Sequence, residues 1–125
     1  MSGAQQQTVL IAEDEAMLRM AAVELLEDAG YKVLEAFDGD RGYEILQSGA
    51  PVDLLISDIK MPGRNGYQLA EAGLAMRPSL RVLLMTGYAQ DPLPQAMRSK
   101  GVEIIYKPFD FDALVDAASR MLSAA

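Results

Sequence analysis

The chain has 125 residues, half of them apolar and 23% charged, which fits one globular domain that buries roughly two-thirds of its unfolded surface on folding. Its formal charge of −7 argues against a nucleic-acid partner, because binding a phosphate backbone draws on clustered Lys and Arg. Cysteine and histidine are both absent, which excludes disulfides, thiolate chemistry and the commonest zinc ligand and general base, and leaves carboxylates as metal ligands suited to Mg²⁺, Mn²⁺ or Ca²⁺.

Residues Met1 to Gln7 lack the charged and apolar regions of a signal peptide and read as a frayed tail of a cytoplasmic protein. Residues 8–122 read as the domain and 123–125 as a short end. No apolar stretch approaches the roughly 20 residues a bilayer span needs, so no membrane insertion is expected. Val9 to Ala12 is a short buried strand closed by the acids Glu13 and Asp14. From Glu15 to Ala29, Leu18, Ala22, Leu25 and Ala29 recur at helical spacing, and Gly30 stops the helix. Tyr31 to Ala36 is a second strand. Asp38-Gly39-Asp40 turns into a helix running through Gln47, with Gly49 at its end. The third strand runs from Val52 to Ser57, and Asp58 opens the loop Ile59-Lys60-Met61-Pro62-Gly63-Arg64-Asn65-Gly66. A helix follows from Gly66 to Met76, closed by Arg77-Pro78, and then a fourth strand from Arg81 to Met85.

Asp91-Pro92-Leu93-Pro94 cannot be helix interior, because each proline removes an amide donor and clashes with the preceding turn. A fourth helix therefore starts near Pro94 or Gln95 and runs to about Lys100. Val102 to Tyr106 is the fifth strand, ended by Lys107. The apolar stripe Phe111, Leu114, Val115, Ala118, Met121 and Leu122 marks a last helix with Asp110 as its N-cap.

Strands alternating with helices through short connections imply a parallel sheet covered on both faces. With right-handed crossovers, five strands of this size favour a flavodoxin-like (βα)5 doubly wound sheet in the order 2-1-3-4-5. Its switch point lies between the first and third strands, which makes Glu13, Asp14 and Asp58 neighbours. Crowded carboxylates repel, and a hard divalent cation relieves that repulsion. Either of the first two acids alone also reads as a solvated partner of the first helix dipole. Asp58 is open to three roles: nucleophile, general base or ligand. Without histidine or cysteine, acyl transfer and ordinary hydrolysis lack their parts. Attack on phosphorus needs only a donor, a metal and a cation for the equatorial oxygens. Lys107 supplies such a cation, and Thr86 offers a hydroxyl at the end of the fourth strand.

Four motifs in order, Glu13-Asp14-Glu15, Asp58 with Met61-Pro62-Gly63 and Gly66, Thr86-Gly87-Tyr88-Ala89, and Lys107-Pro108-Phe109, give the chain a close resemblance to two-component response-regulator receiver domains from about Thr8 to Leu122. The resemblance implies that Asp58 accepts a phosphoryl group from a sensor histidine kinase or a histidine phosphotransfer protein. It implies that Asp14, Asp58 and the backbone carbonyl of Lys60 bind Mg²⁺ (or Mn²⁺), with Glu13 acting through water. By the same resemblance Thr86 hydrogen-bonds the phosphoryl group, Lys107 pairs with it, and the Lys107–Pro108 bond is cis. Lys60 and Tyr88 fall where receiver side chains gate attacking water.

Two departures bear on the output. Many receivers place a switch aromatic three residues before the lysine, and Ile104 stands there. The aromatic is Tyr106, directly before Lys107, and it is expected on the opposite side of the strand. Thr86-Gly87-Tyr88 with the prolines after it resembles an atypical receiver subclass whose fourth-helix region carries the signal, Gly87 letting that loop close. The chain stops soon after its last apolar stripe, so the resemblance implies either a stand-alone receiver that docks on an unknown output protein or a fragment of a longer regulator. The chemistry is expected to be directed at the chain itself, with no external metabolite turned over. A flavodoxin-like nucleotide-binding protein would want a Gly- or Ser/Thr-rich loop after the first strand. An aspartyl-phosphate phosphatase would want an acid where Lys60 stands. Met17 and Met20 on the first helix read as kinase-docking contacts or as core filling.

Overall fold

Each of the five apolar runs that end in a charged or turn residue carries a strand, and the helical periods lie between them. The structure, a computed structural model, describes residues 6–87 and 93–123. Its strands are β1 (Thr8–Ala12), β2 (Lys32–Ala36), β3 (Leu54–Asp58), β4 (Arg81–Thr86) and β5 (Glu103–Tyr106). Its helices are α1 (Ala16–Asp28), α2 (Gly39–Gln47), α3 (Gly66–Met76), α4 (Gln95–Arg98) and α5 (Phe111–Ser123). The strands pair in parallel in the order β2-β1-β3-β4-β5, the expected flavodoxin-like arrangement.

Burial follows position in the sheet. β1 and β3 are buried at every residue, because each has a strand on both sides and helices on both faces. The edge strands β2 and β5 are mostly half buried, with exposed residues at Lys32, Glu35 and Tyr106. Leu10, Leu55 and Leu84 turn to one face and pack with Leu46, Leu69, Leu74 and Met97 of α2, α3 and α4. Val9, Ile11, Leu54, Ile56 and Met85 turn to the other and meet Leu26 of α1 and Leu114, Ala118 and Leu122 of α5. Among the described residues no helix is long and apolar enough to cross a membrane.

The boundaries that differ have local causes. β3 starts at Leu54 rather than Val52, and the Thr8 N–H that a longer strand would pair with a backbone carbonyl is taken by the Asp53 carboxylate at 2.8 Å. Asp58 is still within the strand, paired with Met85, so the acid sits on the sheet itself and not in the loop after it. α4 keeps four residues and ends at Arg98 instead of Lys100. The amides of Lys100 and Gly101 bond back three residues to Met97 and Arg98, which tightens the turn toward Gly101 at φ 82°. The expectation that Tyr106 lies on the opposite side of β5 from Ile104 is corrected. Residues two apart in a strand share a face, and the ladder sets Ile104 beside Leu84 and Tyr106 beside Thr86. Ile105, between them, packs on the other side with α1 and α5.

Candidate functional site

The carboxyl ends of β1, β3, β4 and β5 converge at one edge of the sheet. β1 runs straight into Glu13 and Asp14, and β3 ends on Asp58, its neighbour in the ladder. Carboxylate oxygens of Glu13, Asp14 and Asp58 lie within 4.8 Å of one another. Lys107, one residue past β5, brings its Nζ to 3.2 Å from Asp58 Oδ2 and 3.4 Å from Glu13 Oε1. Its backbone N–H donates to the Thr86 carbonyl at 2.7 Å, so β4 and the lysine hold each other in place. Thr86 itself is buried at the end of β4. The Lys107–Pro108 peptide is cis.

The three acids differ in environment. Glu13 is fully buried and Asp58 nearly so, whereas Asp14 is exposed. Burial, the largest influence on Glu13, pushes its carboxyl up to about 7, the Glu15 amide opposing it, Asp58 adding to it and Lys107 opposing it. On Lys107 burial acts downward, yet Asp58 and then Glu13 outweigh it and hold the ammonium above the ordinary lysine range. The lysine thus stays a cation between two acids. The donor set is made of hard oxygens only, clustered closely and open to water at Asp14, which fits a hard divalent cation.

Backbone contacts fix the loops that carry these groups. The Glu13 N–H reaches the Ala36 carbonyl at 3.0 Å, and Glu13 Oε2 accepts the Glu15 N–H at 2.9 Å. Gly66 lies so close beneath Asp58 that a Cβ there would overlap the Asp58 carbonyl. Arg19 is a contributor that the sequence reading passed over. From α1 it donates to the Glu13 carbonyl at 2.8 Å and pairs with Glu35 at 3.2 Å, tying the acidic loop to β2. Its only sequence signal is a basic residue one helical turn after Glu15.

The remaining candidates are dispersed. Lys60 lies exposed two residues beyond Asp58. Gly87 is exposed, its φ lies outside the left-handed region, and a Cβ would meet nothing within 4 Å, so this conformation does not itself require glycine. Tyr88 lies outside the described residues. Ile104 is half buried against the α2–α4 side of the core, and Tyr106 is 42% exposed. Met17 and Met20 are 82% and 64% exposed, which removes the core-filling reading for both.

Residues 9–119 match the family model described as the response regulator receiver domain. The chain is 36% identical to the response regulator receiver protein CpdR of Brucella abortus over 94% of this chain and 98% of that one. Its fold superposes with TM-score 0.83 and 30% identity on the structure of a response regulator receiver protein from Sinorhizobium medicae, covering 96% and 97% of the two chains. The response regulator TrrA of Thermotoga maritima, solved in complex with Mg²⁺ and BeF, superposes with TM-score 0.82 and 27% identity over 93% of this chain and 99% of that one.

Proposed function

The chain belongs to the response regulator receiver domain family, and from that premise we propose that Asp58 accepts a phosphoryl group from the histidine of a sensor kinase or phosphotransfer protein. The observation that carries this reading is the meeting of Asp58 with Lys107 at 3.2 Å inside a cluster of acids within 4.8 Å of one another. A carboxylate oxygen of Asp58 attacks phosphorus and forms an acyl-phosphate bond, while the donor P–N bond breaks and its electron pair returns to the imidazole. Lys107 balances the charge on the equatorial oxygens, and the Thr86 hydroxyl donates to one of them. Asp14, Asp58 and the Lys60 carbonyl would hold Mg²⁺ or Mn²⁺, with Glu13 reaching the ion through water. Bound there, the cation supplies the positive charge that lets a phosphoryl group approach three carboxylates.

The phosphorylated side chain carries about −1.5 to −2 charges if it behaves as other phosphorylated side chains do. Contacts from Thr86 and Lys107 then favour one arrangement of the surrounding loops, which an output protein reads by docking. Lys60 and, by its place in the sequence two residues after Thr86, Tyr88 restrain the water that ends the signal. Met17 and Met20, exposed beside the acidic edge, belong to the surface that meets the phosphoryl donor. The chemistry is directed at the chain itself, in the cytoplasm, with no external metabolite turned over.

Intact mass after incubation with acetyl phosphate tests this. One added phosphoryl group is expected on the native chain with Mg²⁺, and none without Mg²⁺ or on Asp58→Asn. An adduct of equal yield on Asp58→Asn would overturn the assignment.

A further inference from the structure

Resting on the receiver reading above, we propose that Arg64 is a positioning residue for the cation site, pinning the loop after Asp58 onto α2 through Asp40 and Tyr43. The loop joins β3 to α3 and is closed at its base by two backbone bonds. The Ile59 N–H donates to the Met85 carbonyl at 3.0 Å, and the Gly66 N–H donates to the Ile59 carbonyl at 2.8 Å. Between those bonds the chain runs out through Pro62 and Gly63, the latter at φ 74°. Arg64 ties this outer part sideways. Its Nη1 donates to Asp40 Oδ1 at 2.9 Å, and its guanidinium lies over the Tyr43 ring, 3.7 Å from the centroid.

The backbones meet as closely as the side chains. A Cβ on Gly39 would overlap the Arg64 carbonyl, and a Cβ on Gly63 would overlap the Asp40 carboxylate. Glycine on both sides thus lets the first turn of α2 seat directly on the loop. An exposed ion pair alone holds little, and both partners here are part exposed, at 39% and 59%. The stack on Tyr43 adds a second, differently directed contact from the same side chain, so the two together fix both the distance and the orientation of the loop.

The consequence falls on Lys60, four residues before Arg64, whose carbonyl belongs to the proposed cation site. A loop released from α2 holds that carbonyl in place for only part of the time. Apparent cation affinity then falls in proportion to the competent fraction, while the site once filled is unchanged.

The test is Mg²⁺ affinity, measured on the full chain and on Arg64→Ala, Arg64→Lys and Asp40→Asn both by calorimetric titration of the unphosphorylated protein and as the half-saturating Mg²⁺ for phosphorylation by acetyl phosphate. In Arg64→Ala the half-saturating Mg²⁺ is expected to rise about 3- to 10-fold, with the rate at saturation kept within about twofold. Asp40→Asn should shift in the same direction by less. Arg64→Lys should recover part of the loss, because lysine keeps the charge but not the planar stack. A half-saturation unchanged in both Arg64→Ala and Asp40→Asn overturns the proposal, as does a lowered saturating rate at unchanged half-saturation. Should Arg64→Ala fail to fold, Asp40→Asn decides alone. A native chain that is never phosphorylated at any Mg²⁺ concentration defeats the receiver reading itself and the positioning role with it. A native chain that responds while its variants respond identically defeats only the positioning role.

Discussion

Glu13 keeps almost no solvent-accessible surface, and its carboxyl is held near 7 where an ordinary glutamate sits at 4.5. Burial is the main cause; the Glu15 amide and Lys107 pull the other way, and Asp58 pushes in the same direction as burial. Between those two values the folded chain keeps a proton that the unfolded chain has released. Stability from this group is therefore lost as pH rises from about 4.5 to about 7 and is level above that. The loss is on the order of 1–3 kcal/mol in the absence of a divalent cation. Urea midpoints at pH 5 and pH 8 without Mg²⁺ should fall further in the native chain than in Glu13→Gln, and saturating Mg²⁺ should close the gap. Equal pH slopes in the two proteins would show that Glu13 titrates normally. The same crowding was visible in the sequence as acids at strand ends. Which acid is buried was not, because Glu13 and Asp14 are adjacent and their fates depend on which way the chain turns after Ala12.

At the scale of the element, α3 shows local sequence setting local structure. Its bounds, Gly66 to Met76, are those the sequence implies. The Asn65 side chain accepts the Gln68 N–H at 2.9 Å while the Gln68 side chain accepts the Asn65 N–H at 2.9 Å, a reciprocal cap that satisfies two amides. Asn65→Ala should cost about 1 kcal/mol in urea denaturation. A loss within about 0.3 kcal/mol of zero would mean that tertiary contacts alone set the start of the helix, well below the usual range for a cap. α4 is the opposite case. Its prolines told where it cannot begin, but its end at Arg98 is set by a turn that also delivers the Val102 amide to Met97 at 3.1 Å. Edge strand β5 shows how a period can be misapplied. Ile104 and Tyr106 share a face, so the lack of an aromatic at Ile104 does not leave that face without one.

For the whole molecule, the sheet divides the apolar residues into two layers. Leu55 of central β3 belongs to the α2–α4 layer, and its neighbours Leu54 and Ile56 to the α1–α5 layer. Leu55→Ala should cost about 2–5 kcal/mol, the range for a buried leucine with little room to collapse. It should keep one cooperative transition by both circular dichroism and fluorescence, because each layer packs on the same strands. Two separated transitions would show that the layers unfold independently. The strand order, the five helices and the meeting of Glu13, Asp14, Asp58 and Lys107 were all legible without coordinates. The apolar runs, their closing charged residues and the right-handed rule for parallel crossovers leave few ways to arrange such a chain. Only the tertiary structure showed that Arg19 braces the Glu13 loop and that Arg64 clasps Asp40 and Tyr43. It also showed that Met17 and Met20 point to solvent. Periodicity records which side of an element is apolar. It carries no record of which distant polar group a long arginine meets, because that depends on how two elements are turned toward each other after both have formed.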